Sequence, residues 1–329
     1  MDEKQTVLLE QYDLEVYRAN RRKGAWILET NQGMKLFGTC PLSEGKVTFE
    51  QKIKTHIAKQ GGPKVDHYVP TKEGNYLVQG PYSEWFVMRD WFDGEECDVQ
   101  NITHIEETVR TLARLHQVLV GVELTEQERE FCLQPKLKDL LERRNRELRR
   151  VRTYIRGKKQ KSAFEQRFLQ QFSELYEQAE RATGLLMEQE YEAYYDSVVS
   201  AGVMLHGNYT HHSILFDREE TVVTGFQKTA LGIQVHDFYL FFRKMMEKWD
   251  WNVTLGERML SAYEEIRPIP EQERKLLYLL LSYPEKFWKV ANQYYNNRKS
   301  WVPEKNMQKL VQTFSQAGRK EETIQRLFT

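Results

Sequence analysis

Leu205-His206-Gly207-Asn208-Tyr209-Thr210-His211-His212-Ser213-Ile214-Leu215-Phe216 is the stretch whose reading decides the fold. A helical run, Tyr191–Met204, leads into it, and Ser213–Phe216 leaves it as a short strand. The loop between carries a glycine, three imidazoles and the neutral polar side chains of Asn208, Thr210 and Ser213, but no carboxylate. Imidazole is the commonest transition-metal ligand. Adjacent His211 and His212 on an extended segment point to opposite faces, however, which argues against a metal site shared with His206. A second short strand, Thr221–Phe226, follows, and GFQKTALGIQVHDF (residues 225–238) brings in Asp237.

Outward from this stretch, the chain divides by texture. Leu14–Ala19, Ala25–Thr30 and Met34–Phe37 are short apolar runs separated by Arg21-Arg22-Lys23-Gly24 and Asn31-Gln32-Gly33, a strand–turn–strand–turn–strand pattern. A helix over Val47 to about Gln60 follows, with Phe49, Ile53, Ile57 and Ala58 at helical spacing. Tyr68–Pro70, Tyr76–Gly80 and Trp85–Trp91 supply further strands. The expected fold class is α+β with two lobes. Residues 1–92 form an N-lobe of a five-stranded sheet plus one helix; residues 93–329 form a helical C-lobe that carries the loop 205–217. Asp93-Gly94-Glu95-Glu96 reads as the hinge. The C-lobe helices include Lys136–Ile155 and Ala163–Met187, and its tail is anchored by Trp249, Trp251, Trp288 and Trp301.

Composition narrows the function. The chain has 329 residues, 40% hydrophobic, with 48 Lys+Arg against 48 Asp+Glu. That is enough apolar material for a full core. The zero net charge removes the general electrostatic case for a nucleic-acid partner. No run of 18 or more apolar residues is present, so no membrane span is expected. The opening MDEKQTVLLEQYDLEVY is acidic and lacks the apolar core of a secretory signal. Cys40, Cys97 and Cys132 are too scattered for a disulfide framework or a zinc site, which fits folding in a reducing compartment. Residues 143–161 hold ten cations against one acid, Glu147, and read either as a solvated helix face or as a patch for an anionic partner.

The loop resembles the catalytic loop of the aminoglycoside phosphotransferase and choline kinase group, which has the protein-kinase-like fold and the pattern LHGDxHxxNIL. Leu205, His206, Gly207, Ile214 and Leu215 keep the frame. By that resemblance, Asn208 stands at the catalytic Asp, Ser213 at the metal-binding Asn and Thr210 at the second His. Gly225 stands at the magnesium-binding Asp of the following strand, and Asp237 matches the structural carboxylate twelve residues on. His206 is then a structural member of the loop. Lys35 falls where the group's nucleotide-positioning lysine sits, with Glu50 as its ion-pair partner, a vestigial nucleotide clamp. Asp196 and Asp217 are spare carboxylates for a rearranged metal site.

Phosphoryl transfer needs an orienter or base for the hydroxyl and metal ions to hold the phosphates. Asn cannot take a proton as a carboxylate does, glycine offers no side-chain oxygen, and serine is a weak neutral substitute for a hard cation's ligand. The expected catalytic set and metal set are therefore both none, and the expected protein is a pseudokinase. Within the group, MKLFGTCPLSEGKVTFEQKIKTHIAKQG and FVMRDWFDGEEC are similar to spore-coat kinase-like proteins of the CotS and YutH type. The resemblance implies a sporulation-linked structural protein, made in the mother-cell cytoplasm and deposited in the spore coat with other coat proteins as partners. It implies no cofactor, with residual ATP binding left open. The alternative is an active or nucleotide-binding small-molecule phosphotransferase with non-standard metal ligands.

Overall fold

The computed structural model describes residues 3–22, 24–188, 191–217, 220–296 and 303–328; Trp301, one of the expected anchors, lies outside them. The chain forms two compact units, residues 1–132 with 202–230 and residues 133–201 with 231–329. The boundary expected at 92/93 falls inside the first unit.

The first unit opens with α1 (Glu3–Leu9), which lacked a legible signal, then β1 (Val16–Arg22), β2 (Ala25–Thr30) and β3 (Gly33–Thr39). Next come α2 (Glu44–Lys59), β4 (Lys64–Val65), β5 (Val78–Gln79), β6 (Trp85–Asp90), β7 (Glu95–Glu96), α3 (Ile102–Val118) and α4 (Glu126–Phe131). Strands β8 (Met204–Leu205), β9 (Ile214–Asp217) and β10 (Glu220–Val223) return to it from much later in the sequence. The expected five-stranded sheet is present, in the order β1-β2-β3-β6-β5, all antiparallel. Tyr68 contributes only an isolated bridge to Arg89 rather than a strand.

Strand parity decides what each face of this sheet does. Leu28, Phe37, Phe86 and Met88 pack with Leu8, Leu9 and Tyr12 from the N-terminal segment, with Phe37 and Phe86 stacked at 5.2 Å. Burying each such side chain contributes about 1.5–3 kcal/mol. The alternate residues Ile27, Leu36, Gly38, Val87 and Arg89 line a cleft on the other face.

A second sheet runs β4-β10-β9-β7, with β10 parallel to β4 (Val222↔Lys64) and antiparallel to β9 (Val223↔Ile214). Three expectations change here. The helix read as Tyr191–Met204 stops at Ser200, and Met204-Leu205 is a strand. The strand read as Thr221–Phe226 stops at Val223, and Phe226–Lys228 is a 3-10 turn. The segment read as a hinge contains β7, whose Glu95 and Glu96 pair with Phe216 and Leu215.

The second unit is helical: α5 (Leu137–Gly157), α6 (Ala163–Glu188), α7 (Tyr191–Ser200), α8 (Val235–Lys248), α9 (Val253–Glu264), α10 (Glu271–Ser282), α11 (Glu285–Asn296), α12 (Pro303–Ser315) and α13 (Ala317–Phe328). Phe164, Phe168, Phe172 and Phe287 form its aromatic core with Leu148, Val151 and Ile155 of α5. Trp288 donates its indole N–H to Glu147 Oε2 at 2.7 Å, and Trp251 is buried.

Candidate functional site

All the loop residues singled out in the sequence, and the cleft, belong to the first unit. His206 is fully buried against Phe226, ring centroids 4.7 Å apart. Its Nδ1 accepts the Asn208 N–H at 3.2 Å, so Nε2 carries the proton and donates to the Thr224 carbonyl at 3.0 Å. The imidazole thus ties the loop to the segment that follows β10.

Ser213 is buried and its hydroxyl is engaged within the loop: it donates to the Asn208 carbonyl at 3.1 Å and accepts the Thr210 N–H at 3.3 Å. Asn208 is exposed. Gly225 has φ +87°, and a β-carbon built there meets nothing nearer than Gln227 Oε1 at 3.8 Å, with Ser213 Oγ at 3.9 Å. The three positions therefore lie around one point, and none of them presents a carboxylate.

Of the spare acids, Asp217 shares the unit and does not reach that point. Asp217 pairs with Glu220 at the hairpin end of β9, three residues beyond Ile214, which is about 10 Å of strand. Direct coordination of a hard cation needs about 2.0–2.6 Å. Asp196 lies in the second unit, 3.7 Å from Lys136. Asp237 is also in the second unit, buried in the first turn of α8, where the helix's positive end favours an anion. Among the described residues no group of three or more His, Cys, Asp or Glu could hold a metal ion. His211 and His212 correct their expectation in one respect. They occupy a turn, not an extended segment, and their rings lie 3.8 Å apart. His212 Nδ1 is 2.5 Å from Glu96 Oε2.

The Lys35–Glu50 clamp does not form. Lys35 shares its sheet face with Phe37, not with Leu36 and Gly38, so it points away from the cleft. Its ammonium lies 2.7 Å from Asp90 Oδ1 and donates to the Gln32 carbonyl at 2.8 Å. The β3 residues that line the cleft are Leu36, Gly38 and Thr39. Glu50 instead belongs to a network that the sequence reading missed. Lys54 Nζ sits 2.8 Å from Glu50 Oε1 and 3.1 Å from Asp66 Oδ1, off the hydrogen-bond axis but in charge contact. Asp66 Oδ2 accepts from Arg89 at 2.7 Å, and Glu50 Oε2 accepts from the Tyr68 hydroxyl at 3.1 Å. Lys54 also lies over the Tyr68 ring, 4.3 Å from its centroid. The only sequence signal for this network was Glu50 and Lys54 at helical spacing i, i+4.

The cleft has a volume of about 1040 Å³, just above the usual span of small-molecule sites, about 300–1,000 Å³. Among the described residues Arg89 is the cation that lines it, and Asp66 already partners that cation.

A small antiparallel sheet with one long helix, a loop between short strands and a large helical remainder define the aminoglycoside phosphotransferase fold, as expected from the loop frame. The chain superposes on an aminoglycoside phosphotransferase from Alicyclobacillus acidocaldarius subsp. acidocaldarius DSM 446 with a TM-score of 0.86 at 19% identity, covering 98% of this chain and 94% of that one. It superposes on the AMP-bound spectinomycin phosphotransferase with a TM-score of 0.67 at 11% identity, covering 97% and 96%. In sequence it is similar to spore coat protein S of Bacillus subtilis (strain 168), 20% identical over 282 residues, 85% of this chain and 80% of that protein. The chain belongs to the family described as "Spore coat putative kinase YutH", whose model matches residues 5–327.

Proposed function

We propose that the chain is a pseudokinase of the spore coat, a kinase-like scaffold that serves as a structural and interaction protein and transfers no phosphate. On this reading it is made in the mother-cell cytoplasm and deposited in the coat among other coat proteins, with no nucleic-acid partner and no cofactor. Family membership and the similarity to spore coat protein S support the coat assignment. One observation carries the inert-enzyme reading: Asn208, Ser213 and Gly225 surround one point and bring no anionic oxygen to it. Loss of a general base alone costs about 10²- to 10⁴-fold in rate. The donor set does not fit the magnesium ion that the fold family uses, since that ion is held through one or two carboxylates plus substrate phosphates and none of the three side chains is a carboxylate. A cleft of about 1040 Å³ favours a second reading, nucleotide binding without chemistry.

Calorimetry with ATP, with and without magnesium, together with a phosphotransfer assay, separates these readings. The expected result is no magnesium-dependent binding and no turnover, with Lys35→Ala indistinguishable from the wild type. Gly225 already has a left-handed backbone, a region that Asp and Asn enter more readily than other side chains, at about 1–2 kcal/mol. Asn208→Asp combined with Gly225→Asp is therefore expected to fold and to gain magnesium-dependent nucleotide affinity. Wild-type turnover that Asn208→Ala abolishes sinks the pseudokinase reading; a nucleotide titration without turnover selects the second one.

A further inference from the structure

The ten cations of residues 143–161 divide into two sets. One set is built into the second unit. Arg144 pairs with Glu285 and stacks on Trp288, 4.1 Å from the ring centroid. Arg152 lies over Phe172, Lys158 lies 2.5 Å from Glu165, and Lys161 donates to the Lys158 carbonyl at 2.7 Å. The other set, Arg143, Arg146, Arg149, Arg150, Arg156 and Lys159, is exposed. Leu141, Asn145, Leu148, Val151 and Ile155 bury the opposite face of α5, so the exposed arginines share one side of the helix.

Arg143 and Arg146 have only distant i, i+4 partners, at 3.9 and 3.6 Å. Arg149, Arg150, Arg156 and Lys159 form no ion pair with a described residue. Like charges three and four residues apart repel by about 0.2–0.5 kcal/mol per pair, so this face lowers its own helix's stability until an anion covers it. A groove of 520 Å³ lies in its middle, walled by Arg146, Arg149, Arg150, Thr153, Tyr154 and Tyr295. Tyr154 and Tyr295 meet edge to face at 5.4 Å and are 41% and 40% exposed.

We propose that this face of α5 is a docking surface for an acidic segment of another polypeptide, whose carboxylates are taken by the outward arginines while an apolar or aromatic side chain rests against Tyr154 and Tyr295. Guanidinium forks match carboxylates in two-point geometry. The span from Arg146 to Arg156 is about 15 Å along the helix, which suits a segment of four or five extended residues. A zero net charge gives the chain no long-range field toward a polyelectrolyte, which favours a short acidic segment over nucleic acid. The inference deepens the interaction-protein reading by naming the partner's chemistry. It is tested apart from the cleft, because no residue of α5 lines the cleft.

The experiment is fluorescence anisotropy at low ionic strength with the full chain, using a labelled octaglutamate peptide, the same peptide with one central tyrosine, and a short DNA duplex. The acidic peptides are expected to bind, the tyrosine version more tightly, with affinity falling as salt rises. Arg149→Glu combined with Arg150→Glu is expected to lower affinity at least about tenfold. Arg149→Gln with Arg150→Gln should lower it less. Lys46→Glu with Lys59→Glu changes the net charge equally at two exposed sites in the first unit and should leave binding unaltered. Circular dichroism checks that each variant folds. Absence of peptide binding, equal loss in the Lys46/Lys59 pair, or tighter arginine-dependent binding of the duplex each overturns the proposal. Nucleotide titration is unaffected by any of these outcomes.

Discussion

Gly207→Ala is expected to cost at least about 4 kcal/mol, the range reached only by specific steric or burial faults. Gly207 has φ +77°, and a β-carbon built there lies 1.9 Å from the Lys228 carbonyl oxygen and 2.7 Å from its carbon. The left-handed conformation alone costs an alanine about 1–2 kcal/mol. The clash adds more, because its partner is backbone and not the end of a flexible side chain. Relief requires moving the 3-10 turn Phe226–Lys228, and Phe226 is buried against His206. Gly61→Ala is the control: φ is +69°, yet nothing lies within 4 Å of the built atom. Urea denaturation followed by near-ultraviolet circular dichroism measures both. Equal losses at the two sites exclude so close an approach between loop and turn.

Lys54→Met should destabilise the first unit by about 3–5 kcal/mol, the usual effect of removing one partner from a buried charge network. Lys54, Glu50 and Asp66 are all nearly inaccessible, at 0%, 1% and 2% exposure. Without the ammonium, two carboxylates remain buried and only Arg89 on the cleft side balances them. A methionine keeps the stem's volume, so lost packing contributes little. Adding Glu50→Gln removes one of the orphaned charges and should recover a large part of the loss, because the two effects are coupled. Additive losses in the double variant would falsify the network as a charge-balanced unit. Among the described residues the cleft is lined by one cation, Arg89, already paired with Asp66, and by the acids Asp93, Glu95 and Glu96, which leaves little positive field for a triphosphate.

The sequence made some of this architecture plain and concealed the rest for identifiable reasons. Strands β1 to β3 were legible because turn signals separate them, but Arg21 and Arg22, read as turn, extend β1 and pair with Trp26 and Ala25, and Gly33, also read as turn, opens β3. Helices α5 and α6 were legible to within two residues because long amphipathic periods average over local noise. Strands β4 and β7 were not, since two residues contain no period at all. At the site, Asn208, Ser213 and Gly225 were singled out by the resemblance of the loop to the phosphotransferase pattern. What their side chains touch was not legible, because the Ser213 hydroxyl is occupied by backbone groups of its own loop. Lys35 shows the sharpest limit. Its place in the sequence was one residue from the cleft-facing position, and on a strand one residue is a change of face. The Lys54–Asp66–Arg89 contacts join a helix, a post-strand residue and a distant strand, a meeting that only the tertiary fold specifies.

The order in which the chain supplies its first unit constrains how that unit is born. Residues 64–65 of β4 receive their parallel neighbour only when 222–223 of β10 have been translated, an interval on the order of 10 s at ribosomal speeds of roughly 5–20 residues per second. Throughout that wait the nascent N-terminal portion carries an unmated hydrogen-bonding border beside Val65. A polypeptide severed after residue 132 keeps that bare border permanently, while one ending after 230 regains β10 but strips α5 and α6 of Phe287, Val290 and Leu310, so no single cut frees either unit.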